Sequence, residues 1–301
     1  MTAKRDVLHF RPGQFALLAL ALAGIGSAAA AEGVVVDRAG NRLEPLIAQP
    51  ASSAPEEADV SATPRLCTAD RQWCVRTVRQ GEPIAAHVEV EQQVAGEDEP
   101  RLRFVPLAAG ELPGSEQPWP YIVRMAPGIG GETLPTGQPS PPLENVLVGV
   151  LRETATGFSG GSAHVSRLNL IRIYHREEGI QIDPELAVLP ADGAAQIRAC
   201  FSEADTQARA GACHDAYTFA TTLTLDPAGT AMPVLRYRTT ATRYPVGASR
   251  RSDALARGPL RREDLRTETV AACSYQRVLR FVDGAYVVDA PLPDCADFTD
   301  L

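Results

Sequence analysis

The chain has 301 residues and a formal net charge of −8 at pH 7, with 29 basic and 37 acidic side chains. Lys4 is its only lysine, which excludes a Schiff-base lysine, a Ser–Lys dyad and a lysine-containing phosphate loop from residues 5–301. An acidic chain also makes nucleic acid and anionic membrane surfaces poor partners, because both bind clustered positive charge. These exclusions leave hydrolytic, binding and structural roles open.

The first 31 residues have the pattern of a cleaved secretory signal peptide. Lys4 and Arg5 precede an apolar run over residues 15–25, and the three alanines at 29–31 match what signal peptidase reads. This run is shorter than the roughly 20 residues that a membrane span needs. No cysteine precedes Cys67, so a lipid-modified cysteine at the cleavage site is excluded. We expect a periplasmic or secreted protein without an integral membrane segment after cleavage.

Two stretches rich in proline suggest where the folded part begins and how it is divided. Residues 32–66 contain Ala, Pro, Glu and Ser with little periodicity, which predicts a flexible leader. The exported β domain is then expected over residues 67–301. A Pro/Gly-rich stretch at 127–142 predicts a long surface loop and leaves open a subdivision of this domain there.

The six cysteines fall into three neighbouring pairs along the chain, which predicts three local disulfides in an oxidising compartment. The expected bridges are Cys67 with Cys74, Cys200 with Cys213, and Cys273 with Cys295. No C-x-x-C pair and no histidine spacing typical of a metal site occurs. We therefore expect neither a metal nor another cofactor.

Alternation of apolar and polar residues predicts strands in most of the remaining chain. Residues 217–225 and 235–242 alternate on either side of the turn composition at 226–230, which predicts an antiparallel hairpin. Residues 275–281 and 286–288 flank Asp283-Gly284, a strong hairpin signal. Further strands are expected at 72–79, 84–91, 102–107, 121–125, 146–153 and 165–175.

Helix is scarce in this pattern. Only Ser202 to Ala210 predicts a short helix, with Ser202 as its N-cap and Gly211 as its end. The predicted fold class is therefore all-β, with antiparallel sheets, one or two short helices and three local disulfides. A sandwich or barrel-like arrangement is the default, and a propeller stays open although no repeat of fixed period is found.

One motif carries a catalytic interpretation. Gly157-Phe158-Ser159-Gly160-Gly161 fits the G-x-S-x-G pattern and is similar to the Gly-Asp-Ser-Gly-Gly around the nucleophile of chymotrypsin-like serine proteases. Ser159 is thus a candidate nucleophile, with His87 or His164 as its partner base. A nucleophile elbow needs a helix after the serine, whereas residues 163–175 read as a strand. The pattern favours a hairpin loop, with a serine hydrolase as the alternative.

A second candidate site is a group of arginines around one predicted strand. Arg236, Arg238, Arg243 and Tyr244 could bind carboxylated or phosphorylated ligands through bidentate contacts. The competing interpretation is cross-strand pairing with the many acidic residues. Together these observations predict an exported, non-enzymatic module that binds an envelope protein or an anionic glycan.

Overall fold

The computed structural model describes residues 33–49, 63–80, 85–94, 96, 98, 100–107, 114–129, 145–176, 179–254, 256 and 258–301. The predicted signal peptide, most of the 127–142 loop and residues 50–62 of the predicted leader lie outside these residues. The described part is mostly antiparallel strand, and the all-β class, the two long hairpins and the three local disulfides are confirmed.

The strands form two sheets. The strands of the large sheet are β1 (Val35–Val36), β2 (Arg42–Pro45), β8 (Gly114–Pro118), β9 (Tyr121–Arg124), β10 (Val146–Phe158), β11 (Gly161–Arg176), β12 (Gly179–Arg198), β13 (His214–Leu225), β14 (Leu235–Tyr244), β15 (Glu268–Thr269), β16 (Gln276–Val282) and β17 (Ala285–Val288). Its order is β1-β2-β9-β10-β11-β12-β13-β14-β16-β17, with β8 beside β10 and β15 beside β14. Because β1 and β17 are its two edges, the sheet is open.

The small sheet packs on one face of the large one. Its strands are β3 (Ile47–Ala48), β4 (Leu66–Cys67), β5 (Trp73–Gln80), β6 (Ala85–Gln92) and β7 (Arg101–Pro106), in that order. Between the sheets lies a buried cluster that includes Trp73, Val88, Val105, Val148 and Ile171. The opposite face of β10 contributes Leu147 to a second cluster. The expectation that the apolar run from Val146 forms a central strand is thereby confirmed.

The large sheet curls around this second cluster, which draws on strands from β2 to β17. Its first strands reach the turn between β13 and β14, where the Ala39 N–H donates to Gly229 O at 3.0 Å. The fully buried Asn41 donates from Nδ2 to Ala231 O at 2.8 Å. The curl thus brings sequence-distant strands together and buries the larger core.

Two short helices complete the fold, α1 (Glu203–Ala208) and α2 (Ala296–Thr299), along with 3-10 turns at Arg262–Asp264 and Ala271–Cys273. Neither helix, nor any other in the described part, has the length and hydropathy that crossing a membrane needs. α2 packs over β11, β12 and β13, and Phe298 enters a third buried cluster with Tyr217 and Phe219. A Cβ at Gly193 would lie 2.4 Å from Phe298 O, so only glycine permits this approach.

The structure differs from the sequence expectation in the predicted leader and in one long strand. Residues 33–49 form β1, β2 and β3 instead of a flexible leader, because Leu43 and Leu46 bury their side chains in the two main clusters. The strand β12 runs for 20 residues and was not expected. It lies in the middle of the large sheet, and the candidate site is at its C-terminal end.

Candidate functional site

Two exposed aromatic side chains lie at the same end of the large sheet. Among the described side chains, Phe158 and Phe201 are the only exposed aromatics, at 52% and 66% exposure. Phe158 ends β10 and Phe201 precedes α1, so 42 residues of chain separate them. Phe201 lines an open cleft of about 820 Å³, called the end cleft here, and Phe158 directly precedes the turn that forms part of its lining. Its volume is within the usual range for ligand sites.

The floor of the end cleft is the turn between β10 and β11 and the neighbouring strand ends. Ser159, Gly160 and Gly161 form the turn, and Gly161 pairs with Ile197 of β12. A Cβ at Gly161 would lie 2.0 Å from Gln196 O, which explains why glycine is needed there. The Phe158 ring sits over Gly160, where an added Cβ would be 3.3 Å from two of its ring carbons. The Phe158 ring thus lies against the turn that contributes to the cleft floor.

The wall of the end cleft is α1 and the segment before it. The disulfide Cys200–Cys213 lines the cleft and joins the end of β12 to the start of β13. The Ser202 hydroxyl caps α1 by accepting from the Asp205 N–H at 3.1 Å. Asp205 Oδ2 accepts in return from the N–H groups of Phe201 at 2.9 Å and Ser202 at 2.8 Å. These bonds lower the pKa of Asp205 and hold the backbone of Phe201 in place.

Behind this wall, a buried ion pair holds α1 against β13. Arg209 and Asp215 are each 4% exposed and contact through Arg209 Nη2 and Asp215 Oδ1. Arg209 also donates from Nε to Ala212 O at 2.8 Å. An ion pair buried with additional hydrogen bonds is strongly destabilised when one partner is removed. The wall is therefore a rigid part of the fold.

Arg198 is the main cation in the end cleft. It and Gln196 alternate along β12 with Ala195 and Ile197, whose side chains pack in the third cluster, so both point to the opposite side. Arg198 Nε donates to Cys200 O at 2.8 Å, and its guanidinium carbon is 5.3 Å from the centre of the Phe201 ring. Its Nη donors bond no other described residue. A planar carboxylate can accept from these two groups.

Polar side chains dominate the end cleft. Eight of the 13 lining residues are serine, threonine, glutamine, histidine, arginine or glutamate, which suits a ligand that carries many hydrogen-bonding groups. His214 and Glu203 stand among them, both exposed. His214 and Arg198 were not predicted as site residues, because no local pattern marks them and only the fold brings them together.

Ser159 lies in the end cleft, but His87 and His164 do not. Ser159 begins the β10–β11 turn, as the hairpin-loop interpretation expects, and a strand follows it. His87 is on β6 in the small sheet. His164 is on β11 with its Nε2 3.1 Å from Asp192 Oδ2. Within the described residues, no histidine side chain is hydrogen-bonded to Ser159, although His214 lines the same cleft.

The four residues of the predicted arginine site are spread over β14. Arg236 pairs with Asp226 at 2.9 Å, and the side chain of Arg238 forms no hydrogen bond or ion pair with a described residue. Arg243 falls on the opposite face of the strand and donates from Nε to Glu268 Oε2 at 2.8 Å. This contact lowers the pKa of Glu268. Tyr244 is six residues from Arg238, about 20 Å along the strand.

The described residues contain no group of three or more His, Cys, Asp and Glu side chains arranged to hold a metal ion. No family model, no curated protein and no solved structure matches this chain. The end cleft is therefore the feature of this chain that bears on function.

Proposed function

We propose that this protein is an exported, non-enzymatic binding module and that the end cleft binds an anionic glycan of the cell envelope. The observation that carries the proposal is the exposed ring of Phe201 in a large polar cleft, beside a turn that carries Phe158, the other exposed aromatic described. Apolar side chains kept in solvent at one place are typical of a binding surface. Three disulfides fit an oxidising compartment, which supports export.

The polarity of the end cleft favours a glycan over a protein partner. The centre of a protein–protein interface is mostly apolar and poor in charge. Here the floor and wall present hydroxyl, amide, imidazole and guanidinium groups, including those of Ser162, Gln196 and His214. Sugar hydroxyls both donate and accept, so they match such a set of groups. The apolar face of a sugar ring can rest on the ring of Phe201.

Arg198 supports the anionic character of the ligand. Its Nε is already bonded to Cys200 O, which fixes the orientation of the guanidinium group over Phe201. The Nη donors are left to bind a uronic or similar carboxylate, and such a charged contact is worth about 1.5–3 kcal/mol. Loss of Arg198 should therefore weaken binding about tenfold or more.

The proposal is tested with polygalacturonate as a carboxylated probe and dextran as a neutral one, using the purified protein spanning residues 32–301. We expect retention on polygalacturonate, and weaker retention for Arg198→Gln and for Phe158→Ser combined with Phe201→Ser. Arg262→Gln, an exposed arginine in a 3-10 turn, is the matched control and should bind normally. Arg238→Gln tests the arginine site predicted from the sequence. Equal retention of wild type and the cleft variants would contradict the proposal.

A serine hydrolase is the second candidate, and the shared position of Ser159 and His214 in the end cleft favours it. Closure of the cleft around a substrate would have to bring the imidazole to the hydroxyl. A fluorophosphonate probe decides this question. Labelling of Ser159 that is lost in His214→Gln would support a hydrolase, whereas absence of labelling in the folded protein would exclude it.

A further inference from the structure

A second, smaller cavity adjoins the end cleft. It has a volume of about 160 Å³ and shares Arg198 and Phe201 with the cleft among its lining residues. Its other walls come from β13 and from the segment 249–254. We call it the side cavity. A volume of this size equals that of about five water molecules in the liquid, enough for one ring-sized group and too small for a peptide segment.

One tyrosine hydroxyl at the side cavity bonds no described residue. Four tyrosines in the described residues are buried, and three of them have a bonded hydroxyl: Tyr174 with Asp183, Tyr237 with Pro190 O, and Tyr286 with Pro233 O. The fourth, Tyr217, lines the cavity. Its hydroxyl is not sealed from solvent, so it can bond a molecule that enters the cavity.

The lining of the side cavity offers both donors and acceptors. It includes two arginines, Arg198 and Arg250, and two aspartates, Asp215 and Asp253, of which Asp215 is already paired with Arg209. Arg250 Nη1 donates to the carbonyl oxygens of Asp297 at 3.3 Å and Asp300 at 2.5 Å. Its Nε and Nη2 groups bond no described residue. Donors and acceptors in one small cavity match a neutral group that can both give and accept hydrogen bonds.

We propose that the side cavity is a subsite for one uncharged sugar unit, whose hydroxyls bond Tyr217 and Arg250. The unit belongs to the same glycan whose charged part lies beside Arg198, so this inference rests on the proposed function. The ligand then passes from the end cleft to the side cavity at Phe201, which lines both. Specificity for the sugar residue at this position would come from the side cavity, and the negative charge would be read in the end cleft.

The test uses the methyl glycosides of glucose, galactose and N-acetylglucosamine as neutral probes. Saturation-transfer NMR with a glycoside concentration of up to about 100 mM detects weak binding, with Kd values in the millimolar range and above. We expect at least one glycoside to bind, with its Kd raised about fivefold by Tyr217→Phe, the loss of one neutral hydrogen bond. Arg250→Gln should weaken the same probe. Tyr286→Phe is the matched control, because its hydroxyl already bonds Pro233 O and lies outside the side cavity.

Failure of this inference can be told apart from failure of the proposed function. If no glycoside binds, or if Tyr217→Phe binds as well as wild type, the subsite is overturned. Retention on polygalacturonate, measured on the same samples, reports the end cleft separately. If that retention persists while glycoside binding is absent, only the side-cavity inference falls. A crystal structure that shows only ordered water at Tyr217 in the presence of a saturating glycoside would also overturn it.

Discussion

Acid should weaken this fold through one buried histidine. His175, near the end of β11, is 8% exposed and lines a small cavity between the two sheets. Burial lowers the pKa of its imidazole, and the positive charges of Arg101 and Arg103 on β7 lower it too. Together they bring this pKa to about 4. The other lining residues, among them Trp73 and Ile180, carry no charge. Protonation of His175 would therefore place a further cation beside two arginines at the contact between the sheets.

The sign and size of this effect follow from proton linkage. In the unfolded chain the imidazole binds a proton near pH 6.5, whereas the folded protein resists protonation down to about pH 4. The unfolded state binds more protons between these values, so the free energy of unfolding falls as the pH falls through this window. From about pH 7.5 to about pH 5, the stability that His175 contributes should fall by about 2 kcal/mol. By about pH 4 the loss should approach about 3 kcal/mol.

Urea unfolding of wild type and His175→Gln across this pH range measures the effect. Between about pH 7.5 and about pH 5, the variant should lose about 2 kcal/mol less of its free energy of unfolding than wild type does. Ile180→Val is the control, because Ile180 lines the same cavity without a titrating group, and it should leave the wild-type pH dependence unchanged. Parallel stability curves for wild type and His175→Gln would refute the reasoning.

The remaining predictions concern the cleft wall, the C-terminal helix and the side cavity. Replacing Cys200 and Cys213 by alanine should lower the free energy of unfolding by about 3 kcal/mol, because the bridge spans 13 residues; urea denaturation measures this, and an unchanged midpoint would contradict it. Gly193→Ala should lower the free energy of unfolding by about 1–3 kcal/mol, because its Cβ would meet Phe298 O. It should also speed hydrogen exchange at the amides of α2, and unchanged protection of these amides would contradict this. Tyr217→Phe should change stability by less than about 0.5 kcal/mol, which thermal unfolding checks.

The hairpins were predictable because their signals are local. Asp283 and Gly284 both have positive φ, at 49° and 92°, as the tight turn between β16 and β17 requires. Alternation in residues 217–225 gives the buried face of β13 directly. The cap of α1 is also read from four consecutive residues, and the structure forms both of its reciprocal bonds. In each case the residues that decide the structure are neighbours in the chain.

The long strand β12 was not predictable in this way, because Pro184 and Pro190 interrupt its pattern. Proline cannot donate to a strand ladder and normally argues against a central strand. In the structure, β12 pairs with β13 only from Asp192 to Arg198, so both prolines precede that ladder. The register with β11 also shifts near each proline. The sheet tolerates these residues for reasons that depend on its curl, which a single sequence does not reveal.

The end cleft was equally hidden, because three separate segments build it. Ser159 was identified through its glycines, but its fold neighbours Arg198 and His214 are distant in sequence and belong to no common motif. The exposure of a phenylalanine cannot be read from its neighbours, since most aromatic residues of this chain are buried. The arginine site predicted on β14 followed from sequence proximity alone, and strand alternation puts Arg243 on the other face from Arg236.

The exposure of Phe158 and Phe201 is the strongest physical argument that the end cleft is used. Phe158 is 52% and Phe201 66% exposed, so each ring forgoes roughly 1–2 kcal/mol of burial. Phe201 is not on a loose segment, because Asp205 bonds its backbone next to a disulfide. A fold that holds an aromatic ring in water at a cavity wall has that part of its binding surface formed before the ligand arrives, which reduces the entropy lost on binding.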